Sequence, residues 1–431
     1  MLQGLPTRSS PYRSDLPTRR TPLASAGVSP EPSARATLVR ALVASTYLPT
    51  FLAEIGVGAI LPLLTLSLLD FGSPATVASL GVGLYSLGRL IASPFVGALV
   101  ERLGSTRASM AALGLLGVGA LACAAAPGVL PFLAGAVVFG AGHAAVHVSR
   151  QAQVDDLVAD HQRARALTTL AGLWRVANFV GPLLGAAVIV AVGLSWTYVM
   201  SAGFIAAGMV ALRLAPAWRR RHYRHAPEHR VGLAEVVRHT APTLRTLGIA
   251  VVLTGALRQL RNVVIPLWGA HLGLDDHTIS VIFSISAAVD MVLFVPAGYV
   301  MDRWGRKWTA VPSSLLLAAG TVMLLGTSDA LGLAIAGMVL GLGNGWGSGV
   351  LMTLAGDVAP ARGRAMFIGL WMALQDAGGL LGPVLLSVGT AIAFPLGFGA
   401  AGVVGVATAG AMMRWIPPWR LRETPAAGPS A

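Results

Sequence analysis

Apolar windows long enough to cross a bilayer recur along this chain from Leu38 to Trp415, and they constrain its fold more than any other feature. A helix needs roughly 20 such residues to span the hydrocarbon core, and there only a structure that bonds all its own backbone polar groups survives. The 431 residues are 55% hydrophobic and 11% charged, against about a quarter charged in soluble proteins, which excludes a single water-soluble core. Because the windows are spread over the whole length, one anchor on a soluble domain is excluded too.

Twelve spans follow. The first six run near Leu38 to Leu69, Ala78 to Val100, Ala108 to Ala125, Val129 to Arg150, Ala166 to Val192 and Ser195 to Leu214. The last six run near Leu247 to Leu272, Ser280 to Met301, Thr309 to Gly326, Leu331 to Leu354, Ala365 to Ile392 and Pro395 to Trp415. The implied organisation is a tail at 1–36, read as disordered from its Pro, Ser and Arg content, a six-helix bundle at 37–214 and a basic linker at 215–246. A second bundle at 247–416 and a tail at 417–431 complete it. The fold class is an all-α membrane protein of twelve transmembrane helices in two six-helix bundles.

Cation placement sets the direction. Of the 31 Lys and Arg, Arg89, Arg175, Arg258 and Arg261 fall inside spans and the rest on the side of both termini. The positive-inside rule makes that side cytoplasmic. Lys307 is the only lysine, an arginine preference that fits a GC-rich bacterial genome and an inner-membrane location. The formal charge of +13 thus reports topology, and the basic linker suits anionic headgroups, so no nucleic-acid partner is expected. Cys123 is the only cysteine, which rules out an intrachain disulfide.

The stretch "GYVMDRWGRK", Gly298 to Lys307, has a divergent copy in "GALVERLGSTR", Gly97 to Arg107. Gly298, Asp302, Arg303 and Gly305 follow Gly97, Glu101, Arg102 and Gly104 by 201 positions each. The same offset relates Asp156 to Asp357, Arg163 to Arg364, Gly140 and Gly142 to Gly341 and Gly343, and Gly181-Pro182 to Gly382-Pro383. One six-helix unit is therefore used twice, and the bundles are pseudo-symmetric. In each loop the glycines suit a backbone bend or a helix contact, the acid a neighbouring helix N-terminus, and cations such as Arg107, Arg306 and Lys307 the headgroups.

These loops, the six-plus-six layout and "GPLLGA" in span 5, with Gly181, Pro182 and Gly185, resemble the major facilitator superfamily of secondary transporters. "GPLLGA" is similar to the family's Gly-Pro antiporter motif. The first loop departs from the family pattern in Glu101, where Asp is usual, and in Ser105-Thr106 before Arg107. Span 4 carries His143 and His147 where drug antiporters have an arginine. The resemblance implies a drug-efflux-like carrier, monomeric in the lipid bilayer, with a small-molecule substrate, no cofactor and a proton gradient as driving force. It also implies that span 2 borders span 11, and span 5 borders span 8.

Seven charged residues lie inside the spans away from their ends: Glu54, Arg89, Arg175, Arg258, Arg261, Asp290 and Asp376. At about 3 kcal/mol each, leaving all of them unpaired would cost roughly 20 kcal/mol, so they are paired or face water. The repeat offset relates Arg89 to Asp290 and Arg175 to Asp376. Each of the four stands 12 residues from a charged residue at its cytoplasmic helix end, respectively Glu101, Asp302, Arg163 and Arg364, which sets all four at one depth near the midplane. With the implied helix neighbours, the expected pairs are Arg89 with Asp376 and Arg175 with Asp290. They act either as a switchable latch between halves or as static assembly contacts.

Spans 1 and 7 hold equivalent places and should line the central path. Glu54 is a candidate proton site beside Asp290 and Asp376, or else a permanent partner of Arg258. Arg258 and Arg261 share a helix face at i,i+3, and a free cation there suits an anionic substrate. His143 and His147 at i,i+4, Asn344 as the counterpart of His143, and Trp346 are further candidates for the path. Two histidines without a nearby acid are not read as a metal site, and no metal is expected. The expected function is alternating-access transport, a proton-coupled export of small amphipathic compounds, with a small organic anion as the alternative substrate. No nucleophile-and-base set marks an enzyme; a membrane-embedded sensor or enzyme on a transporter scaffold is the alternative from a different class.

Overall fold

The computed structural model describes residues 40–158, 160–215, 233–360 and 363–417. The tail expected at 1–36 lies outside the described residues, as do the linker from 216 to 232 and the tail beyond 417. The described residues form an all-α structure with no strand among them. The first half comprises α1 (Arg40–Asp70), α2 (Ala75–Leu103), α3 (Ser105–Ala124), α4 (Val129–Leu157), α5 (Asp160–Val192) and α6 (Leu194–Leu214). The second comprises α7 (Ala234–His271), α8 (Asp276–Trp304), α9 (Lys307–Leu324), α10 (Ala330–Val358), α11 (Arg364–Ile392) and α12 (Phe394–Trp415). Eleven are long and apolar enough to cross a bilayer; α9, with 18 residues, opens on Lys307 and Trp308, which lowers its average apolarity.

The 201-residue repeat is written into the backbone. A π-helical turn at Val43–Tyr47 inside α1 recurs at Leu244–Gly248 inside α7. Left-handed turn glycines at Gly72 (φ 74°) and Gly104 (φ 79°) recur at Gly273 (φ 73°) and Gly305 (φ 96°). Close helix contacts repeat as well. Gly140 of α4 lies against the carbonyl of Tyr85 in α2, and Gly341 of α10 against that of Ser286 in α8. Gly142 faces Leu116 as Gly343 faces Leu317, and Gly181 faces the Ile55 carbonyl as Gly382 faces that of Ala256. At each place a side chain would collide with main chain, so glycine lets two backbones touch where dispersion, not the hydrophobic effect, holds helices together.

The loop glycines divide into two kinds. Gly104 and Gly305 supply the positive φ that ends α2 and α8, whereas Gly97 and Gly298 have open space where a side chain would stand and make no helix contact. The expectation that the loop cations face headgroups also needs correcting for Arg306. It is buried, donating from Nε and Nη2 to Asp357 at 2.8 and 3.3 Å. Ser105, its counterpart, donates to Asp156 at 2.6 Å, so the repeated tie runs from this loop to the end of α4 or α10. Glu101 and Asp302, expected at a helix N-terminus, are exposed, as are Arg102, Arg107 and Arg303, while Lys307 is half-buried. On the opposite side Asp275 caps α8, accepting from the Thr278 amide and hydroxyl at 2.8 Å each, which holds its carboxyl below the ordinary range. That cap is complete at neutral pH and is lost as pH falls through the lowered pKa.

The halves meet through α2 with α11 and α5 with α8, with α1 and α7 touching at the centre. The meeting is one-sided. Towards the acidic-loop side, Ser387 donates to the Thr76 carbonyl at 2.8 Å and His277 to that of Ala186 at 3.1 Å, and Gly83 lies against Pro383. Towards the basic-loop side, Gly97, Gly172, Gly298 and Gly369 all face open space. At 100° per residue each lies within a quarter-turn of a residue that does bridge, respectively Gly83, Arg175, Asp290 and Asp376. Gly97 and Gly369 lie on the faces that α2 and α11 turn to each other, so the open space beside them falls between those two helices. Substituting alanine at Gly140 or Gly341 should cost about 1–3 kcal/mol of overpacking, lowering the midpoint of thermal unfolding in detergent by several degrees. Alanine at Gly97 or Gly298 should leave that midpoint unchanged.

Candidate functional site

Two charge clusters sit between the halves, one at the contact of α2 with α11 and one at that of α5 with α8. The first joins α1, α2, α4 and α11. Glu54, 2% exposed, is bonded to His143 Nε2 at 3.1 and 3.2 Å and lies 3.5 Å from His147 Nε2. The other ring nitrogen of His143 meets Arg89 Nη1 at 3.2 Å and the Tyr85 hydroxyl. Arg89 Nε donates to Asp376 Oδ1 at 3.0 Å, and Ser93 reaches the other carboxylate oxygen at 3.5 Å. His147 stacks on Trp174, ring centroids 4.0 Å apart. An unbroken polar chain thus runs from Glu54 through His143 and Arg89 to Asp376, crossing from one half to the other.

The second cluster centres on Asp290 of α8. Its Oδ1 accepts from Arg175 Nη1 of α5 at 2.6 Å, and its Oδ2 from Asn344 Nδ2 at 2.7 Å and Arg261 Nη1 at 3.3 Å. Arg258 has a different partner, the Asn344 carbonyl at 3.0 Å. That carbonyl lacks its usual main-chain donor because α10 breaks there, and it also accepts the Ser348 hydroxyl at 3.2 Å. Gly349 is left-handed at φ 77°, and the Ser348 amide bonds to Gly345 in place of Asn344.

The structure brings Arg89 to Asp376 and Arg175 to Asp290, each pair spanning the two halves. It does not bring Glu54 to Arg258: α4, not α7, supplies the partners of Glu54, because His143 and His147 present both Nε2 atoms to it. The expectation that these histidines lack a nearby acid is likewise corrected. The ligand atoms of Glu54, His143 and His147 lie within 4.8 Å of one another, a set that could hold a metal ion. A histidine bound to metal through Nε2 must carry its proton on Nδ1, and here Nδ1 faces Arg89, which can only donate. The trio fits a hydrogen-bonded acid and base better than a metal centre. Trp346, expected on the path, instead donates its indole N–H to the Trp308 carbonyl of α9 at 3.0 Å. Gly181, Pro182 and Gly185 are buried where α5 packs on α1.

Arg150 was missed by sequence reasoning. It counted as a loop cation at the end of span 4, yet it is fully buried and donates to Gln153 at 2.7 Å and to the Ser45 carbonyl, in the π-helical turn of α1, at 3.1 Å. The signal was present: His143, His147 and Arg150 stand at i, i+4 and i+7, one helix face.

The sequence profile of the Major Facilitator Superfamily matches residues 46–253 and 247–430. The chain belongs to that superfamily. Among relatives of this superfamily member, the uncharacterized MFS-type transporter YddS of Bacillus subtilis is 26% identical over 320 residues, covering 69% of this chain and 72% of that protein. The multidrug resistance protein MdtL of Klebsiella pneumoniae is 24% identical over 290 residues, covering 66% and 73%. Among solved structures, the nucleoside transporter NupG aligns with a TM-score of 0.71 at 12% identity over 88% of this chain and 100% of its own, and a D-xylose-proton symporter with 0.67 at 14% identity over 89% and 98%. The protein is an integral membrane transporter, not an enzyme.

The two acids differ in what depends on them. Asp290→Asn leaves two guanidiniums without their carboxylate, whereas Asp376→Asn leaves one. Breaking a buried pair costs about 3–5 kcal/mol, so Asp290→Asn should lower the thermal midpoint of the purified protein more than Asp376→Asn.

Proposed function

We propose that this superfamily member is a proton-coupled secondary transporter that exports small amphipathic compounds by alternating access. The observation that carries this reading is the polar chain from Glu54 to Asp376, because it ties a buried carboxylate to a contact between the halves. Arginine has no acceptor, so the His143 nitrogen facing Arg89 presents a lone pair and its Nε2–H points at Glu54. The charged and titratable groups around that ring are Glu54 from α1, Tyr85 and Arg89 from α2 and His147 from α4. A proton arriving at His143 sets an N–H against Arg89, a donor facing a donor and a cation facing a cation. Arg89 then gains by moving away, and its bond to Asp376 loosens. One proton is thereby felt across the interface.

With the basic side taken as cytoplasm by the positive-inside rule, the open space between α2 and α11 faces inward, as in the state from which an exporter loads. The Gly181-Pro182 step and the multidrug relatives agree with export.

The test uses proteoliposomes and a radiolabelled compound chosen by thermal-shift screening of the purified protein. Accumulation by the parent protein should follow the pH gradient. Glu54→Gln and His143→Gln should lose more than tenfold of that gradient-driven accumulation while keeping exchange of labelled for unlabelled compound. Accumulation by the parent that ignores the gradient would remove proton coupling.

A further inference from the structure

We infer that the second cluster is an anion site, and that the transported compound is an organic carboxylate whose acidic group meets Arg258. This rests on the transporter reading above and adds a substrate class to it. The two clusters differ in charge balance. Around His143, Arg89 is matched by Asp376, and the carboxylate of Glu54 has Arg150 as the remaining buried cation of that half. Around Asp290 the guanidiniums of Arg175, Arg258 and Arg261 share one carboxylate, so this cluster holds two positive charges in excess.

Arg258 is the cation that Asp290 does not bond. Its contact is a backbone carbonyl, which carries no full charge, and like-charged Arg175 and Arg261 oppose the attraction of Asp290, the one carboxylate nearby. The Nε atoms of Arg175, Arg258 and Arg261 are all enclosed, and none has a hydrogen-bond partner among the described residues. A guanidinium offers a planar fork that suits a carboxylate better than any neutral group. A fork with no carboxylate bonded to it near the middle of the membrane is opposed by that repulsion, and a bound anion removes it. The position is also reachable. Arg175 and Asp290 retain side-chain exposures of 19% and 12%, so the cluster is not sealed off. The break in α10 at Gly347–Gly349 takes the main-chain donor from the Asn344 carbonyl, which holds Arg258 in place and also accepts the Ser348 hydroxyl, while Ser313 packs against Gly347. No such break occurs in α4, the counterpart of α10, which runs unbroken through His143.

Three isosteres of different charge test this on the full-length protein in detergent: 2-naphthoate, 2-naphthamide and 2-naphthamidinium, by calorimetric titration and thermal unfolding. Only naphthoate should bind and raise the unfolding midpoint. Arg258→Gln should weaken naphthoate at least tenfold, and Arg258→Lys should fall between. Without ligand, Arg258→Gln should unfold no earlier than the parent, since it removes repulsion, which separates a lost site from a lost fold. Binding of the amide or amidinium as tightly as the carboxylate, absence of naphthoate binding, or unchanged affinity in Arg258→Gln overturns the anion site. Gradient-driven accumulation of a neutral compound by a parent that does not bind naphthoate overturns it too, and leaves the proton-coupled transporter reading standing.

Discussion

A guanidinium enclosed in a membrane protein keeps its charge and must be answered by a carboxylate, a carbonyl or water. Among the described residues Arg306 is answered by Asp357 at the loop, and five more, Arg89, Arg150, Arg175, Arg258 and Arg261, are enclosed along the spans with the acids Glu54, Asp290 and Asp376. Each charge costs about 3 kcal/mol to bring to the bilayer centre, so the way the acids are shared decides which helices sit together. Asp376 holds α11 to α2 through Arg89, and Asp290 holds α8 to α5 and α7 through Arg175 and Arg261. These are the deepest contacts between the halves. Beyond them, towards the basic loops, open space lies between α2 and α11 beside Gly97 and Gly369. A contact at that depth can act as a pivot or a latch, whereas one at either rim only opens or closes an end.

The scaffold is symmetric and its chemistry is not. Gly140 and Gly341, Gly142 and Gly343, and Gly181 and Gly382 repeat the same backbone contacts, and the π-helical turns of α1 and α7 repeat in register. On this shared frame the charged positions carry inverted signs, Arg89 against Asp290 and Arg175 against Asp376, which lets opposite halves attract at two places. His143 gives way to Asn344, so one cluster contains a titratable relay and the other a fixed donor with a broken helix behind it. Proton handling and substrate handling can thereby occupy equivalent places in the two bundles without sharing residues.

Much of the fold was legible because bilayer thickness leaves a plain period in the sequence, and because a repeat of 201 positions leaves paired glycines and paired charges in view. The midplane pairs were legible from the repeat together with the helix neighbours that the family resemblance implied. What escaped depended on helix rotation, which spacing alone does not fix. Glu54 looks towards α4, not α7, and the histidines there looked unaccompanied only because their acid lies on another helix. Arg150 looked like a loop cation since it ends an apolar window, although the helix carries on past it to Leu157 and buries it. Trp346 read as a path residue from its place among glycines, but the break in α10 follows directly after it and its indole is committed to α9.

The central claim is that Arg89 and Asp376 join the halves by charge, and a double-mutant cycle of transport tests it most directly. Asp376 bonds only Arg89 and Ser93 among the described residues, which makes this pair cleaner to invert than Arg175 with Asp290. Arg89→Asp and Asp376→Arg should each reduce transport by at least tenfold, and the double reversal should restore a large part of the loss, a coupling well beyond additivity. Losses that simply multiply in the double variant would contradict the account.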